Sequence, residues 1–435
     1  MGHLGHLKQE YRDLAARLGK GFMPFPEPAD EAAWNGWREI LEILFRPEDA
    51  ALAARLPLKP APLERLSREL GVAPEPLKAR LDELADRGLV MDLVHPRTGA
   101  VTYLLAPPLA GFLEFAMMRT HDHVPKKRMA EALHAYLLGD DTFAREIFEK
   151  PTVVGRAVVH ESAFSANGAG GDDAPEVLDW ERATHLIETS TARSVSLCYC
   201  RHTAEHLGTR CDAPIDNCLT LNGGADFVIR HGFGRAIDKT EALDVLVASR
   251  EAGLVQIADN VQRQPVYLCN CCGCCCEQLQ AINRYGLPAV VPSGFLPASD
   301  ATTCKGCSRC ARACPVGAIA MQPSGLPAHR KNRLAPVIDP ERCIGCGVCV
   351  GACPHHSLAM ARGGRTPDVP RTGLERVVRM ALERGSLAEL LADDGTTGAR
   401  FLGGLVGALE ALPPVQKALA SQQVRSRFLK MMLKG

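Results

Sequence analysis

Outside one window the chain has no cysteine at all: of its 435 residues, all 18 cysteines fall between Cys198 and Cys353. It also lacks an excess of either charge, with 50 Lys and Arg against 50 Asp and Glu. That balance excludes a general basic field of the kind that gathers nucleic acid or acidic lipid. No stretch approaches the roughly 18 consecutive apolar residues of a membrane helix. The segment Met1–Glu10 has no apolar core of an export signal. Neither a P-loop nor a G-x-G-x-x-G after a strand is present, so those nucleotide sites are not expected. A chain of this length can build its core without disulfides, and cysteine this dense without an export signal points to metal in a cytoplasmic protein.

Residues 1–35 read as a helix over Tyr11–Leu18 and a proline-rich connector, Phe22–Pro28. Helical periodicity follows in Trp37, Ile40, Leu41, Leu44 and Phe45, then in Leu63, Leu66 and Leu70, which Gly71 ends. A third helix over Pro76–Arg87 points Leu77, Leu81 and Leu84 inward. Two apolar segments, Leu89–Val94 and Ala100–Leu105, flank the turn His95-Pro-Arg-Thr-Gly99 and predict a hairpin. The run Leu63–Leu105 resembles the winged-helix family, which implies a DNA-docking third helix. Yet Gly36–Ala110 carries ten Lys or Arg and eleven Asp or Glu, so a protein-docking or structural module is preferred to a DNA reader. Residues 111–150 read as helical, with His121 and His123 around Asp122 taken as surface residues, and Asn167–Pro175 as a polar linker. Beyond it the pattern is α/β: helices over 177–190 and 239–252, strands over 194–199 and 265–268.

Cys304, Cys307, Cys310 and Cys314-Pro315 fit C-x2-C-x2-C-x3-C-P, and Cys343, Cys346, Cys349 and Cys353-Pro354 repeat it. The span Asp300–Met360 resembles the bacterial two-cluster ferredoxins, in which the fourth cysteine of each run ligates the other cluster. The resemblance implies one [4Fe-4S] cluster on Cys304, Cys307, Cys310 and Cys353, a second on Cys343, Cys346, Cys349 and Cys314, and one-electron transfer at low potential. A pair of zinc knuckles is the rival; zinc commonly takes two separated C-x2-C pairs and gains nothing from a third cysteine and Cys-Pro.

Ten cysteines remain as candidate metal ligands: Cys198, Cys200, Cys211 and Cys218, then Cys269, Cys271, Cys272, Cys274, Cys275 and Cys276. Six thiols in eight residues exceed any packing need, yet in a regular backbone neighbouring side chains point apart, so they cannot all turn to one metal. Ten thiols fill at most two four-cysteine clusters. The expectation is one or two further iron-sulfur centres, with a structural zinc and plain buried thiols as alternatives. Cys200, Cys211, Cys218 and one or two of Cys271, Cys272 and Cys274 form the preferred ligand set. Glu277–Tyr285 reads as a helix closed by Gly286, whose N-terminus favours thiolates. Arg201 and His202 could offset cluster charge or serve as ordinary hydrogen-bonding residues.

From the Cys-x-Cys-Arg run to the paired ferredoxin motifs, the chain resembles a group of 4Fe-4S binding proteins from anaerobic bacteria and archaea. Gly234-Arg-Ala-Ile-Asp, Lys239-Thr-Glu-Ala-Leu and Ala252-Gly-Leu-Val-Gln256 carry the likeness between those motifs, over residues 150 to 360 or so. It implies electron transfer without naming a reaction. In the tail, Ala411–Gly435 holds five basic residues and no acidic one, with Val415, Leu419, Val424, Phe428 and Met431 near one helical face. Such a helix docks on its own domain or touches a membrane surface.

The expected architecture is multidomain α+β: an N-terminal helix and linker (1–35), a winged-helix-like module (36–110), a helical connector (111–175), a Cys-rich α/β domain (176–299), a ferredoxin-like dicluster domain (300–360) and a helical tail (361–435). The expected function is relay of low-potential electrons to a protein redox partner, an oxidoreductase or flavoprotein. A reductase or reductive activator with a substrate-accessible middle cluster, and a redox-responsive winged-helix regulator, are the alternatives. No catalytic residue is identified from the sequence.

Overall fold

The computed structural model describes residues 7–164, 177–323, 334–363 and 366–392. The basic segment 411–435 and the polar linker 167–175 lie outside the described residues.

The first part is a helical layer, built on Gln9–Leu18, Glu31–Leu44, Pro47–Ala53, Leu63–Leu70 and Pro74–Asp86. Asp30 caps the second of these by accepting from the amides of Ala32 and Ala33, and Gly71 ends the fourth in the left-handed conformation. A three-stranded antiparallel sheet follows. Val101–Leu105 lies between Ala61–Pro62 and Val90–Val94, and the hairpin expected from the sequence forms with Val90 opposite Leu105. The cations of Pro74–Asp86 are paired within the module or on the same helix. Arg80 bonds Asp49 and Glu83, Arg87 bonds Asp49, and Lys78 bonds Asp82.

A seven-stranded mixed sheet forms the middle. Its order is Val290–Val291, Gly155–Val158, Val255–Asp259, Tyr267–Cys271, Asp216–Leu221, Arg193–Leu197 and Arg235–Ala236. Only the first pair is parallel. Helix and strand therefore mix as expected, but the ladders are mostly antiparallel, and the sheet takes Gly155–Val158 from the segment read as connector. Two expected strands also shift. The strand placed at 265–268 runs Tyr267–Cys271, because Pro265 has no N–H for the ladder and Gln264 turns at φ 51°. The strand placed at 194–199 stops at Leu197, since Tyr199 opens the helix Tyr199–His206. The helix expected over 177–190 is a 3-10 turn at Asp179–Glu181 and then Ala183–Thr189.

The ferredoxin-like part has two antiparallel ribbons, Phe295–Ser299 with Leu358–Arg362 and Ile319–Pro323 with Leu334–Ile338. The helix Gly373–Arg384 returns to the middle sheet. Arg376 pairs with the buried Asp259, and Arg384 donates to the carbonyls of Glu146 and Ile147 at 3.0 Å each. One apolar core runs through all three parts, from Leu14 and Trp37 through Ile257 and Leu279 to Ile344 and Val348.

Candidate iron-sulfur and metal centre

The two ferredoxin motifs wrap short helices, Arg309–Ala313 and Val348–Gly351. Each begins after a left-handed residue, Ser308 at φ 62° and Gly347 at φ 81°. A glycine is also required at 345: there φ is 69°, and a Cβ would lie 2.4 Å from the Phe295 carbonyl oxygen. Cys304, Cys307, Cys310 and Cys353 line one small cavity. Cys314 instead lies within electrostatic reach of Cys343, Cys346 and Cys349. Main-chain amides reach the sulfurs, with Ala318 N–H donating to Cys314 Sγ at 3.2 Å and Gly306 N–H to Cys304 Sγ at 3.5 Å. The Ser357 hydroxyl lies 3.1 Å from Cys353 Sγ. Burial pushes the Cys346 thiol up to about 12, whereas hydrogen bonds from Ser357 outweigh burial at Cys353 and lower it. The residues thus suit two anionic four-iron groups: four thiols converge on each side, and amides are turned toward the sulfur.

The other ten cysteines fall into two assemblies. Six form a closed ring. Cys198 interacts with Cys200 and Cys218, Cys200 with Cys276, Cys276 with Cys271, Cys271 with Cys269, and Cys269 with Cys218. The sheet register brings them together. Leu219 pairs with Leu268, so Cys218 and Cys269 meet one residue further along, with sulfurs 4.0 Å apart. Cys269 and Cys271 sit two apart on one strand and so share a face. Cys198 is the N-cap of Tyr199–His206 and Cys276 that of Glu277–Tyr285, so both stand at the positive end of a helix, where the amides of Arg201 and Leu279 reach their sulfurs. The direction in which the thiol pKa is moved alternates around the ring. Hydrogen bonds from neighbouring thiols hold Cys198 and Cys276 well below the usual range and Cys269 at about 6, while Cys200, Cys218 and Cys271 are pushed up.

The second assembly is Cys211, Cys272, Cys274 and Cys275, whose four sulfurs all lie within 4.8 Å of one another. No other group of three or more His, Cys, Asp or Glu donors among the described residues meets that spacing. The ring is therefore too open for its thiols to share one ion. The set preferred from the sequence is divided: Cys200, Cys218 and Cys271 belong to the ring, and Cys211, Cys272 and Cys274 to the tight group. Adjacent Cys274 and Cys275 can face one point because they stand in a turn, where the alternation of a strand does not hold.

Arg201 is fully buried beside the ring. It donates to the carbonyls of Pro214 at 3.0 Å and Asn270 at 2.7 Å and to Asn217 Oδ1 at 2.8 Å. Burial alone would lower its pKa, but Cys198, Cys272, Cys271 and Cys218 raise it instead. His202 takes a different role, hydrogen-bonding the Met117 carbonyl through Nδ1 at 2.6 Å and His206 through Nε2 at 3.2 Å. His121 and His123 line a separate cleft with Asp122, whose carboxylate bonds Lys126 at 2.7 Å.

Sequence reasoning missed a group of residues around the ring. A cavity of about 310 Å³ opens on it, walled by the ring thiols, Met91, Met118, Phe115, Phe227 and Glu114. Burial pushes the Glu114 carboxyl up to about 7 and that of Glu277 up to about 8, where the Tyr199 hydroxyl donates to it at 2.5 Å. Asn283 was also missed. Its amide nitrogen lies 3.3 Å from the Gly273 carbonyl oxygen and 3.0 Å from that of Pro315, joining the cysteine turn to the ferredoxin-like part. An isolated Glu or Asn in a helical pattern carries no signal of such a position.

Residues 303–357 match the family model described as a 4Fe-4S dicluster domain. No curated protein and no solved structure matches the chain. No described helix is long and apolar enough to cross a membrane. With eight cysteines inside the matched segment, the chain is an iron-sulfur protein that contains a 4Fe-4S dicluster domain over residues 303–357.

Proposed function

We propose that the protein relays low-potential electrons between two [4Fe-4S] clusters, held by the crossed cysteine sets given above, and a further iron-sulfur centre on the six-thiol ring, and delivers them to a protein redox partner. Bound clusters of this kind supply reversible one-electron transfer. The observation that carries the reading is the contact between the two thiol-bearing parts. The turn after Cys271 packs on Pro315, the residue next to Cys314, and Asn283 hydrogen-bonds both backbones. Arg342, beside Cys343, donates to the Val316 carbonyl on the same seam. The chain therefore holds the ring and the Cys314 side of the dicluster domain in fixed relation.

An anaerobic reductive titration followed by EPR tests this. It should give the signals of two four-iron clusters and a further component that changes in Cys271→Ser while the other two persist. A titration with no further component would overturn the reading.

The cavity beside the ring favours a second reading, a reductase whose substrate meets the middle centre. Its wall is largely apolar and brings together residues of the hairpin, such as Met91 and Leu93, and of the middle domain, such as Phe227 and Val228. A DNA-binding role has less support, since the helix Pro74–Asp86 has its cations paired with acidic groups.

A further inference from the structure

We infer that Cys211, Cys272, Cys274 and Cys275 bind a single zinc ion in a closed tetrahedral site, separate from every iron-sulfur centre. Thiolates bound to one zinc at about 2.3 Å stand about 3.8 Å apart along each edge of the tetrahedron. Here the Cys274 and Cys275 sulfurs are 3.7 Å apart, those of Cys275 and Cys211 are 4.0 Å apart, and all four lie within 4.8 Å. The cysteines of a four-iron cubane each bind a different iron, so their sulfurs are spread outward from the corners and cannot gather this closely. The eight ferredoxin-type thiols and the six ring thiols contain no group as tight as this one.

The four donors are all sulfur and leave no position for water or substrate, which is the pattern of a structural zinc rather than a catalytic one. They come from two segments: Cys211 from the loop after the helix Tyr199–His206, the others from the turn between the strand Tyr267–Cys271 and the helix Glu277–Tyr285. Protein hydrogen bonds already shape both. Gln280 Nε2 donates to the carbonyls of Gly273 at 2.6 Å and Cys274 at 3.2 Å, and the Thr209 amide donates to the Ala204 carbonyl at 2.8 Å. Zinc would tie that loop to the turn. It has no redox chemistry of its own, so it would fix the wall of the ring site without trapping electrons.

The full chain, purified anaerobically without chelator, should contain about one zinc in addition to its iron. Zinc K-edge absorption should show one shell of four sulfurs at about 2.3 Å. In a Cys211→Ser, Cys274→Ser double variant the zinc should be lost while iron and acid-labile sulfide stay at the wild-type level. Wild-type protein without zinc, a zinc shell containing nitrogen or oxygen, or loss of iron and sulfide in the double variant would each overturn the assignment. The absorption measurement uses the unmodified protein and so holds even if the variant misfolds. Zinc content and iron content are read separately, so this inference and the electron-relay reading can fail independently.

Discussion

Gly273 packs directly against Pro315: a Cβ at 273 would lie 2.5 Å from the Pro315 carbonyl oxygen and 3.1 Å from its Cα. The neighbouring atoms are backbone, so they cannot swing aside, and residue 273 has to be glycine for the two thiol-bearing parts to close. Gly273→Ala should therefore separate them and cost about 1–3 kcal/mol, the range of an overpacked contact. Anaerobic thermal melts should show a lower midpoint. Freeze-quench EPR after partial reduction should show slower equilibration between the ferredoxin-type signals and the further component. Unchanged exchange in a variant with a lowered midpoint would separate the packing role from the electron route.

The proposed crossed ligation has consequences for pairs of substitutions. Cys314 lies with Cys343, Cys346 and Cys349 rather than with the other cysteines of its own motif. A Cys314→Ser, Cys343→Ser pair should lose one cluster's iron, no more than Cys343→Ser alone. A Cys314→Ser, Cys304→Ser pair should lose the iron of both clusters. Iron and spin counts per chain check this non-additivity.

Arg201 brings a buried positive charge beside Cys198, Cys271 and Cys272. A cation stabilises the more negative, reduced state of a nearby centre. Arg201→Met should make the potential of the middle centre more negative and leave the ferredoxin-type potentials in place. The variant also leaves three acceptors without their donor, so it should lower stability by about 3 kcal/mol or more. A redox titration and a denaturation curve read the two effects apart.

The hairpin is held to the middle domain by His231 and Arg230. His231 contacts Asp86 at 2.7 Å and Asp92 at 2.8 Å, and Arg230 pairs with Asp92 at 2.5 Å. Burial alone would lower the His231 pKa, but its bonds to Asp92 and Asp86 raise it above 6.5. The stabilisation from this pair is thus fully present below pH 6.5 and is lost as pH rises through the raised value. Burial would raise Asp92, yet His231 and Arg230 bring it below 3.8, so its share is present above that pH and fades in stronger acid. Relative to His231→Gln, wild type should lose about 1 kcal/mol of stability as pH rises from 6.5 through the raised pKa, a component the variant should lack.

The local rules were enough to read much of this from the sequence. The helix Glu277–Tyr285 with its left-handed Gly286, and the Val90–Leu105 hairpin, follow from apolar periodicity and turn residues. The dicluster motif is contiguous, so its spacing is visible in one line of sequence and matches the 303–357 domain. The sorting of the middle cysteines was not legible, because it depends on strand order. Cys218 meets Cys269 only because Asp216–Leu221 pairs with Tyr267–Cys271, and Cys274 joins Cys275 only because a turn replaces the strand there. The strand Gly155–Val158 is hidden in the sequence for the same reason: its partners are about 100 and 135 residues away, beyond the reach of local pattern.

The central claim is a further iron-sulfur centre on the six-thiol ring, in addition to the dicluster domain. The most direct measurement is iron and acid-labile sulfide per chain in anaerobically prepared wild type and in a Cys269→Ser, Cys271→Ser variant. The account predicts more than the roughly eight irons of two four-iron clusters in the wild type. The variant should return to that number with its ferredoxin-type EPR signals intact. About eight irons or fewer in the wild type, or an iron content unmoved by the two substitutions, would contradict it.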